Sequence, residues 1–379
     1  MKYRRFGKTE MMLPVYSMGG MRFIPPHVNS EQMEAVIMRG LELGINHIET
    51  ARGYGPSEEL LGTIMHKLPR NDIYITTKIS PQDSDEEMWK FINESLERMK
   101  CGWIDNFDYH GINNSELLEK VKRPDGCRAA VDRAVSQRLI RHVGFSTHGP
   151  LDVIMTAINT ELFESVNLHY YYFNQRNRPA VDRAAELDMG VFIISPADKG
   201  GQLFFPPPKL TQLCAPIHPT VFNSRWLLGL HPHVHTLSFG PSFVEEFEPH
   251  LPGFDNDGPL SNEEKAVLAR LDAQYKTIPN DEYCAQCYRC LPCPENIHIP
   301  EVLRLRNLSK AFDLTEFGKY RYKMFEVAGH WFPGQKADKC KPCGDCLPRC
   351  PQNLDIPKLL HETHALLNTE ETGQRISSD

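Results

Sequence analysis

The stretch that decides the fold is residues 73–110, IYITTKISPQDSDEEMWKFINESLERMKCGWIDNFDYH. Ile73–Lys78 and Trp103–His110 are short apolar runs typical of strands, and Asp85–Met99 between them has the spacing of an amphipathic helix. This strand–helix–strand order is the repeating unit of an α/β fold. The sequence on either side of it continues the same alternation.

The alternation extends from the N-terminus to about residue 250. The strands that we predict are Leu13–Met18, Asn46–Thr50, Ile73–Lys78, Trp103–His110, Arg141–Ser146, Ser165–His169, Gly190–Ser195 and Val234–Phe239. The predicted helices are Ser30–Leu43, Glu58–Lys67, Asp85–Met99, Ser115–Gln137, Leu151–Thr160, Arg178–Leu187, Pro219–Leu230 and Ser242–His250. Strands and helices alternating over roughly 250 residues predict a (β/α)8 TIM barrel. The alternative is a doubly wound open sheet, which is disfavoured because no Gly-x-Gly-x-x-Gly turn follows the first strand.

Length and charge limit the classes of protein that fit. A chain of 379 residues exceeds one ordinary core, so we expect a barrel with a smaller second domain. The net charge of −7 disfavours nucleic acid and anionic lipid as partners. The basic start, MKYRRFGKTE, is followed by no long apolar run, so we expect no signal peptide or membrane span and a cytoplasmic protein.

Eight of the 11 cysteines lie in two blocks near the C-terminus. The blocks read Cys284-x2-Cys287-x2-Cys290-x2-Cys293-Pro294 and Cys340-x2-Cys343-x2-Cys346-x3-Cys350-Pro351. Each block is followed by a similar heptapeptide, PENIHIP or PQNLDIP, and then by a predicted helix, Glu301–Leu308 or Lys358–Leu367. This repetition indicates an internal duplication. Clustered cysteines in a chain without a secretory signal favour metal over disulfides.

The spacing within the blocks predicts two [4Fe-4S] clusters. Three thiolates two residues apart wrap one face of a cubane, and the cysteine before proline ligates the other cluster. The expected ligands are therefore Cys284, Cys287, Cys290 and Cys350 for one cluster, and Cys340, Cys343, Cys346 and Cys293 for the other. The alternative is a pair of structural zinc sites, which call for neither the third cysteine nor Cys-Pro.

The cysteine region resembles bacterial two-cluster ferredoxins. The helix-like sequence between the blocks more closely resembles the helical ferredoxin modules of respiratory and disulfide reductases. The two-residue spacing before Cys293 departs from the usual three.

We therefore predict a barrel over residues 1–255, a mostly helical ferredoxin-like domain over 256–365 and a polar tail over 366–379. His250–Ser261, with two prolines and two glycines, is the expected linker.

The N-terminal two-thirds resembles the aldo/keto reductase family. The motifs that carry the resemblance are Tyr3-Arg4-x-Phe6-Gly7-Lys8-Thr9, Ile48-Glu49-Thr50-Ala51-x-x-Tyr54-Gly55-x-Ser57-Glu58-Glu59-x-x-Gly62, Thr77-Lys78, Asp105–His110 and Gly144-Phe145-Ser146. They span Met1 to about His250. With the cysteine blocks, the whole chain resembles the subfamily that carries a C-terminal ferredoxin-like domain with two [4Fe-4S] clusters.

The resemblance implies a catalytic tetrad. By position, Tyr54 would be the proton donor, Lys78 the buried cation beside it, Glu49 the acid that holds Lys78, and His110 the residue that orients the carbonyl. Taken alone, each residue is more often structural, but four in order and in matching contexts favour the catalytic interpretation. Glu49 stands where the family usually has aspartate, so the lysine is held by a longer side chain.

The resemblance also implies a nicotinamide cofactor, NADP or NAD, across the barrel mouth. The residues that would bind it are Gly20, Met21, Arg22, Ser146, Asn167, Ser195, Lys199, Gly200, Ser238 and Gly240. Ile194 stands where many relatives stack an aromatic ring on the nicotinamide. No basic run follows the last strand in Thr236–Ser242, so NADP is not favoured over NAD.

Three functions fit these features. The first is an oxidoreductase that reduces a carbonyl-type small organic substrate with a nicotinamide cofactor, and whose clusters transfer electrons. The second is a one-electron reductase in which a ferredoxin-like donor feeds the clusters and the barrel binds the substrate. The third, an electron carrier with a vestigial barrel, is disfavoured because Tyr54, Lys78 and His110 are all present.

Overall fold

The computed structural model describes residues 1–23 and 28–369. Most of the predicted polar tail, 366–379, lies outside the described residues. Within them, no helix is both long enough and apolar enough to cross a bilayer.

Eight parallel strands close into a barrel, which confirms the predicted (β/α)8 fold. A hairpin precedes it, formed by β1 (Tyr3–Arg5) and β2 (Met12–Pro14). The barrel strands are β3 (Tyr16–Gly19), β4 (His47–Glu49), β5 (Tyr74–Ile79), β6 (Ile104–Tyr109), β7 (Ile140–Ser146), β8 (Ser165–Leu168), β9 (Gly190–Ile193) and β10 (Thr236–Phe239). They are hydrogen-bonded in chain order, and β10 pairs with β3 to close the ring.

The first predicted strand, Leu13–Met18, is wrong as a single element. Leu13 and Pro14 belong to the hairpin strand β2, and the barrel strand β3 begins at Tyr16. Pro14 has no N–H to donate, so it ends one ladder and the chain changes direction before the next.

Most of the predicted helices form, but the one predicted over Ser242–His250 is a 3₁₀ helix, and another is broken in two. The helices up to the linker are α1 (Ser30–Glu42), α2 (Ser57–Ile64), α3 (Asp85–Met99), α4 (Ser115–Lys122), α5 (Cys127–Ser136), α6 (Leu151–Asn159), α7 (Arg178–Glu186), α8 (Pro208–Cys214), α9 (Pro219–Leu230) and α10 (Leu251–Phe254). Short 3₁₀ helices occupy Gly7–Thr9, Met65–Lys67 and Val244–His250. The helix predicted over Ser115–Gln137 is two helices, because Pro124 holds Arg123 extended (φ −70°, ψ 118°).

Four helices follow the linker. They are α11 (Asn262–Tyr275), α12 (Ile299–Phe312), α13 (Thr315–Tyr322) and α14 (Ile356–Leu367), with 3₁₀ turns at Gly329–Trp331 and Ala337–Lys339. The duplication seen in the sequence recurs at the helix starts: the side chain of His298 accepts from Glu301 N, and that of Asp355 accepts from Lys358 N. Pro300 and Pro357 each occupy the first turn, where a missing N–H costs nothing.

The described chain forms two compact units. The barrel unit comprises Met1–Gly200 and Asn223–Pro259, and the cluster unit comprises Gly201–Phe222 and the chain from Leu260 onwards. The inclusion of Gly201–Phe222 in the cluster unit is not visible in the sequence. Within that unit, Arg270 on α11 donates to the carbonyls of Leu213 and Ala215 at 2.8 and 2.5 Å.

Candidate active site and metal centre

Lys78, at the end of β5, is a buried lysine whose ammonium has three partners. Nζ forms an ion pair with the Glu49 carboxylate, donates to the Thr50 carbonyl at 2.8 Å and donates to the Tyr54 hydroxyl at 3.1 Å. Glu49 ends β4, and both charged side chains are almost wholly excluded from solvent. Since an ammonium has three donors, this set satisfies Lys78 completely and fixes it against the tyrosine.

Tyr54 and His110 meet at the rim of the same site. Tyr54 lies in the turn after β4, where its N–H donates to Ala51 O at 3.0 Å, and its hydroxyl lies 3.5 Å from Glu49 Oε1. His110 follows β6, and its ring meets the Tyr54 ring edge-on with centroids 5.6 Å apart. The structure therefore brings together all four residues of the predicted tetrad, each at a carboxyl-terminal strand end.

Asp108 is a buried carboxylate in this site that the sequence analysis missed. It is the register partner of Lys78 across β5 and β6. Burial raises the pKa of Asp108 to about 6, and the Lys78 cation and hydrogen bonds from Asn106 and Asn167 oppose the rise. The period-2 alternation of β6 places Asn106 and Asp108 on one face, a signal that could have marked it.

The pKa of Lys78 follows from its burial and its neighbours. Desolvation lowers the pKa to about 7, the Asp108 carboxylate opposes this, and the Lys199 cation adds to it. The direct ion pair with Glu49 also favours the charged ammonium. The site thus holds a lysine whose protonation depends on two carboxylates.

Ser146 and Asn167 lie side by side at the ends of β7 and β8, as register partners. Ser146 Oγ accepts from Gly111 N at 3.1 Å. Asn167 is buried, and among the described residues its Oδ1 has no hydrogen-bond partner. A buried acceptor without a partner is costly unless a ligand satisfies it, so this pair fits the carboxamide of a nicotinamide.

The residues predicted for the loop after β9 form a tight turn. Lys199 N donates to Ser195 O at 3.0 Å, and Ser195 has a left-handed backbone (φ 40°). A Cβ at Gly200 would collide with the carbonyl of Pro196, so only glycine fits there. Lys199 is a buried cation in this turn, and its charge fits a pyrophosphate.

The residues predicted at β3 and β10 form the remaining part of the mouth. Gly20 N donates to Glu49 O at 2.7 Å, and the half-buried Met21 follows it. Ser238 Oγ lies beside Gly19, where it would be the nearest atom to an added Cβ. Arg22 donates to Gly240 O at 2.9 Å and forms a bidentate ion pair with Glu246 at 2.7 and 2.8 Å. Glu246, which the sequence analysis missed, neutralises this arginine.

In the cluster unit, each cysteine before proline lies with the other block. The neighbouring Cys287 and Cys350 thiols add to the burial that raises the pKa of Cys284 to about 11. Burial raises the pKa of Cys346, and the Cys293 thiol adds to it. A small cavity is lined by the second set of predicted ligands, Cys293, Cys340, Cys343 and Cys346.

Two hydrogen bonds tie the blocks together. Ala285 N donates to Gln352 Oε1 at 2.9 Å, and Arg349 Nη2 donates to Pro292 O at 3.0 Å. These bonds hold each Cys-Pro segment beside the opposite block. Thiolates are the ligands that iron–sulfur clusters use, so both sets of four cysteines fit the predicted clusters.

Two sequence families match successive parts of the chain. Residues 17–201 match the aldo/keto reductase family, and residues 283–354 match the 4Fe-4S dicluster domain. The chain carries an aldo/keto reductase domain and a 4Fe-4S dicluster domain. These matches confirm the resemblance seen in the sequence, an aldo/keto reductase domain followed by an iron–sulfur domain.

Characterised relatives match part of the chain. L-glyceraldehyde 3-phosphate reductase of Escherichia coli K12 is 27% identical over 206 residues, 50% of this chain and 57% of the relative. L-galactose dehydrogenase of Arabidopsis thaliana is 28% identical over 169 residues, 41% and 51% of the two chains. The chain thus spans little more than half the length of these relatives.

Solved structures support the same fold. An aldo-keto reductase from Bacillus halodurans, in its holo form, superposes with a TM-score of 0.60 at 19% identity and covers 71% of this chain and 96% of its own. The apo form gives a TM-score of 0.59 with 20% identity over 71% of this chain and 96% of its own. At this identity the likeness establishes the barrel alone.

Proposed function

We propose that the protein is an oxidoreductase that reduces the carbonyl group of a small organic substrate with NADPH or NADH, with Tyr54 as the proton donor. The observation that carries this proposal is the hydrogen bond from Lys78 Nζ to the Tyr54 hydroxyl at 3.1 Å. A tyrosine has a pKa of about 10, so it donates a proton near pH 7 only with help from a neighbouring cation. Lys78 is such a cation, and burial strengthens its effect on Tyr54.

The other residues of the site would bind and orient the reactants. His110, edge-on to Tyr54, would donate to the carbonyl oxygen and hold it against the tyrosine hydroxyl. Ser146 and Asn167 would hold the nicotinamide carboxamide, Lys199 and the turn around it the pyrophosphate, and Gly20, Met21, Arg22, Ser238 and Gly240 the rest of the dinucleotide. The bound cofactor supplies a hydride to the carbonyl carbon.

The iron–sulfur domain would hold two [4Fe-4S] clusters that transfer electrons. The proposed ligands are Cys284, Cys287, Cys290 and Cys350 for one cluster and Cys340, Cys343, Cys346 and Cys293 for the other. The exchange is supported by the Cys350 thiol, which acts on Cys284, and by Cys293, which lines the same cavity as Cys346. The proposed domain bounds remain 1–255 and 256–365. A cytoplasmic location suits eight thiols that must stay reduced until they bind iron.

A second candidate function is a one-electron reductase fed by a ferredoxin-like partner. The observation that favours it is that each block presents one exposed cysteine, Cys287 in the first and Cys343 in the second. A cluster with an exposed ligand lies near the surface, where a carrier protein would deliver an electron. In this alternative Tyr54 and Lys78 supply protons, and no nicotinamide takes part.

Anaerobic titration of the holoprotein with NADPH and NADH separates the two candidates. The first predicts nicotinamide binding, seen by fluorescence, and hydride-dependent turnover of a carbonyl substrate. Tyr54→Phe, which removes one oxygen, should lower that turnover by about 10²–10⁴-fold with unchanged iron content. Tyr74→Phe, at the start of β5, is the matched control and should leave turnover unaltered. Failure of both dinucleotides to bind, with clusters that turn over substrate from reduced ferredoxin, would establish the second candidate instead.

A further inference from the structure

Asp108 is surrounded by residues of three barrel strands. Ser165 Oγ on β8 donates to Asn106 Oδ1 at 3.1 Å, and Asn106 Nδ2 donates to Asp108 Oδ1 at 2.9 Å. On β7, a Cβ at Gly144 would approach Asp108 Oδ1 to 2.5 Å, so glycine leaves the space that the carboxylate fills. This network holds the Asp108 carboxylate in place and contains no residue of the tetrad.

The same carboxylate determines how Asn167 is oriented. Asp108 and Asn167 flank β7, where Asp108 pairs with Gly144, which has no side chain, and Asn167 pairs with Ser146. Across this gap the Asn167 side chain acts on the Asp108 carboxylate as a hydrogen-bond donor and lowers its pKa. Because a carboxylate only accepts hydrogen bonds, the atom of Asn167 that faces Asp108 must be Nδ2. Its Oδ1 therefore points away from Asp108 and, within the described chain, has no partner.

We propose that Asp108 is a positioning residue that holds Asn167 with its carbonyl oxygen toward the cofactor, so that the site accepts a hydrogen bond from the carboxamide NH₂ group. This inference rests on the proposed function, since it needs a nicotinamide beside Asn167. It extends that function by assigning a selectivity: the site should bind a carboxamide and reject an isostere that lacks the NH₂ group. Without Asp108, the Asn167 amide would be free to rotate by 180° and donate from Nδ2 to the carbonyl oxygen of the group on the pyridine ring.

Dinucleotides that carry 3-acetylpyridine in place of nicotinamide are the probe. They keep the carbonyl and replace NH₂ by methyl. We expect the holoprotein to bind the oxidised nicotinamide dinucleotide about 5- to 150-fold more tightly than its acetylpyridine analogue, because the methyl group leaves the buried Oδ1 unpaired. In Asp108→Leu the ratio of the two dissociation constants should fall to about one. Asp108→Asn, which keeps the volume but can also donate, should lower the ratio to an intermediate value.

Two further variants separate positioning from general damage. Asn167→Leu should abolish the selectivity, and its combination with Asp108→Leu should have no further effect, since both act through one hydrogen bond. Asp105→Asn alters another buried carboxylate of β6, one that pairs with Arg70 and Arg141, and should leave the ratio as in wild type. If Asp108 acted only through its charge on Lys78, its replacement would change turnover and leave the ratio of the two dissociation constants unchanged.

The outcomes distinguish this inference from the proposed function. A wild-type selectivity that persists in the folded Asp108→Leu and Asp108→Asn proteins would overturn the role of Asp108 and leave the reductase proposal intact. Failure of the wild-type protein to bind any nicotinamide dinucleotide would overturn the proposed function, and this inference with it. Iron content and circular dichroism identify the variants that are folded.

Discussion

The barrel unit and the cluster unit hold their functional groups in different ways. In the barrel, Glu49 and Lys78 project from adjacent strands of a closed hydrogen-bonded ring and contact each other directly. In the cluster unit, the cysteines lie in two segments, 284–298 and 340–355, and within these segments the structure has no helix or strand. The barrel site is thus complete through its own side chains, whereas the cysteine segments have little but turns to hold them.

The two regions also differ in whether their buried ionisable groups have partners of opposite charge. The buried charges of the barrel compensate each other, since Lys78 faces Glu49 and Asp108. The buried thiols of the two cysteine blocks have no such compensating partner among their described ionisable neighbours, which are other thiols. Burial raises the pKa of Cys290 to about 12, and the nearby thiols raise it further. Only a bound metal turns these thiols into thiolates at neutral pH. The comparison predicts that the barrel is stable by itself and that the cluster unit depends on iron.

Removal of iron tests this most strongly. Anaerobic chelation should unfold much of the cluster unit, because metal-binding free energy is folding free energy in a segment without regular structure. Hydrogen exchange should show lost protection over 284–298 and 340–355 and retained protection in β5 and β6. Equal loss of protection in the barrel strands would contradict the comparison.

The next effect concerns the barrel alone. Lys78→Met should lower turnover by about 10²–10⁴-fold, because Tyr54 loses the cation that helps it donate a proton. The clusters should keep their spectra, since the change lies in the other unit. Lys67→Met is the matched control: that lysine pairs with Glu34 at the surface, and its loss should leave turnover as in wild type.

A smaller effect should distinguish the two clusters from each other. Cys350→Ser should reduce iron content by about half and alter the cluster ligated by Cys284, Cys287 and Cys290, because the serine stands beside Cys284. Electron paramagnetic resonance of the reduced protein measures which cluster is lost. Cys214→Ser, a buried cysteine of the same unit outside the blocks, is the control. Damage to the Cys340–Cys346 cluster instead would show that each block binds its own cubane.

The smallest effect is a shift in pH dependence. Burial lowers the pKa of Lys78 to about 7, so turnover that needs the ammonium is present below that pH and is lost as pH rises through the pKa. Glu49→Gln removes a carboxylate that favours the ammonium, and the alkaline limb of the kcat profile should move to lower pH. Glu49→Asp keeps the charge, so its limb should stay close to that of wild type. An alkaline limb that moves upward in Glu49→Gln would remove Lys78 as its origin.

Local sequence determined the elements and the chemistry of this protein. The alternation of apolar runs predicted seven of the eight barrel strands as single elements, because period-2 and period-3.6 patterns record which face of each element is buried. The prediction for the remaining strand, β3, merged it with the hairpin strand β2. Cysteine spacing predicted the iron–sulfur domain, because three of the four ligands of each cluster lie within a few residues of each other. The helix break at Pro124 and the end of the hairpin strand at Pro14 are also local effects. They follow from the missing N–H of proline and from its restriction of the preceding residue.

Only the tertiary structure decided which distant side chains meet. Asp108 and Asn167 come together because β6, β7 and β8 lie side by side in the closed barrel, and no local pattern carries that pairing. The ion pair between Arg22 and Glu246 likewise joins the two ends of the barrel chain, where β10 closes on β3. Gly201–Phe222 lies in the cluster unit, where hydrogen bonds join it to Arg270, far away in the sequence. Sequence periodicity specifies a buried face, but the partner on the other side of that face is set by ring closure and packing.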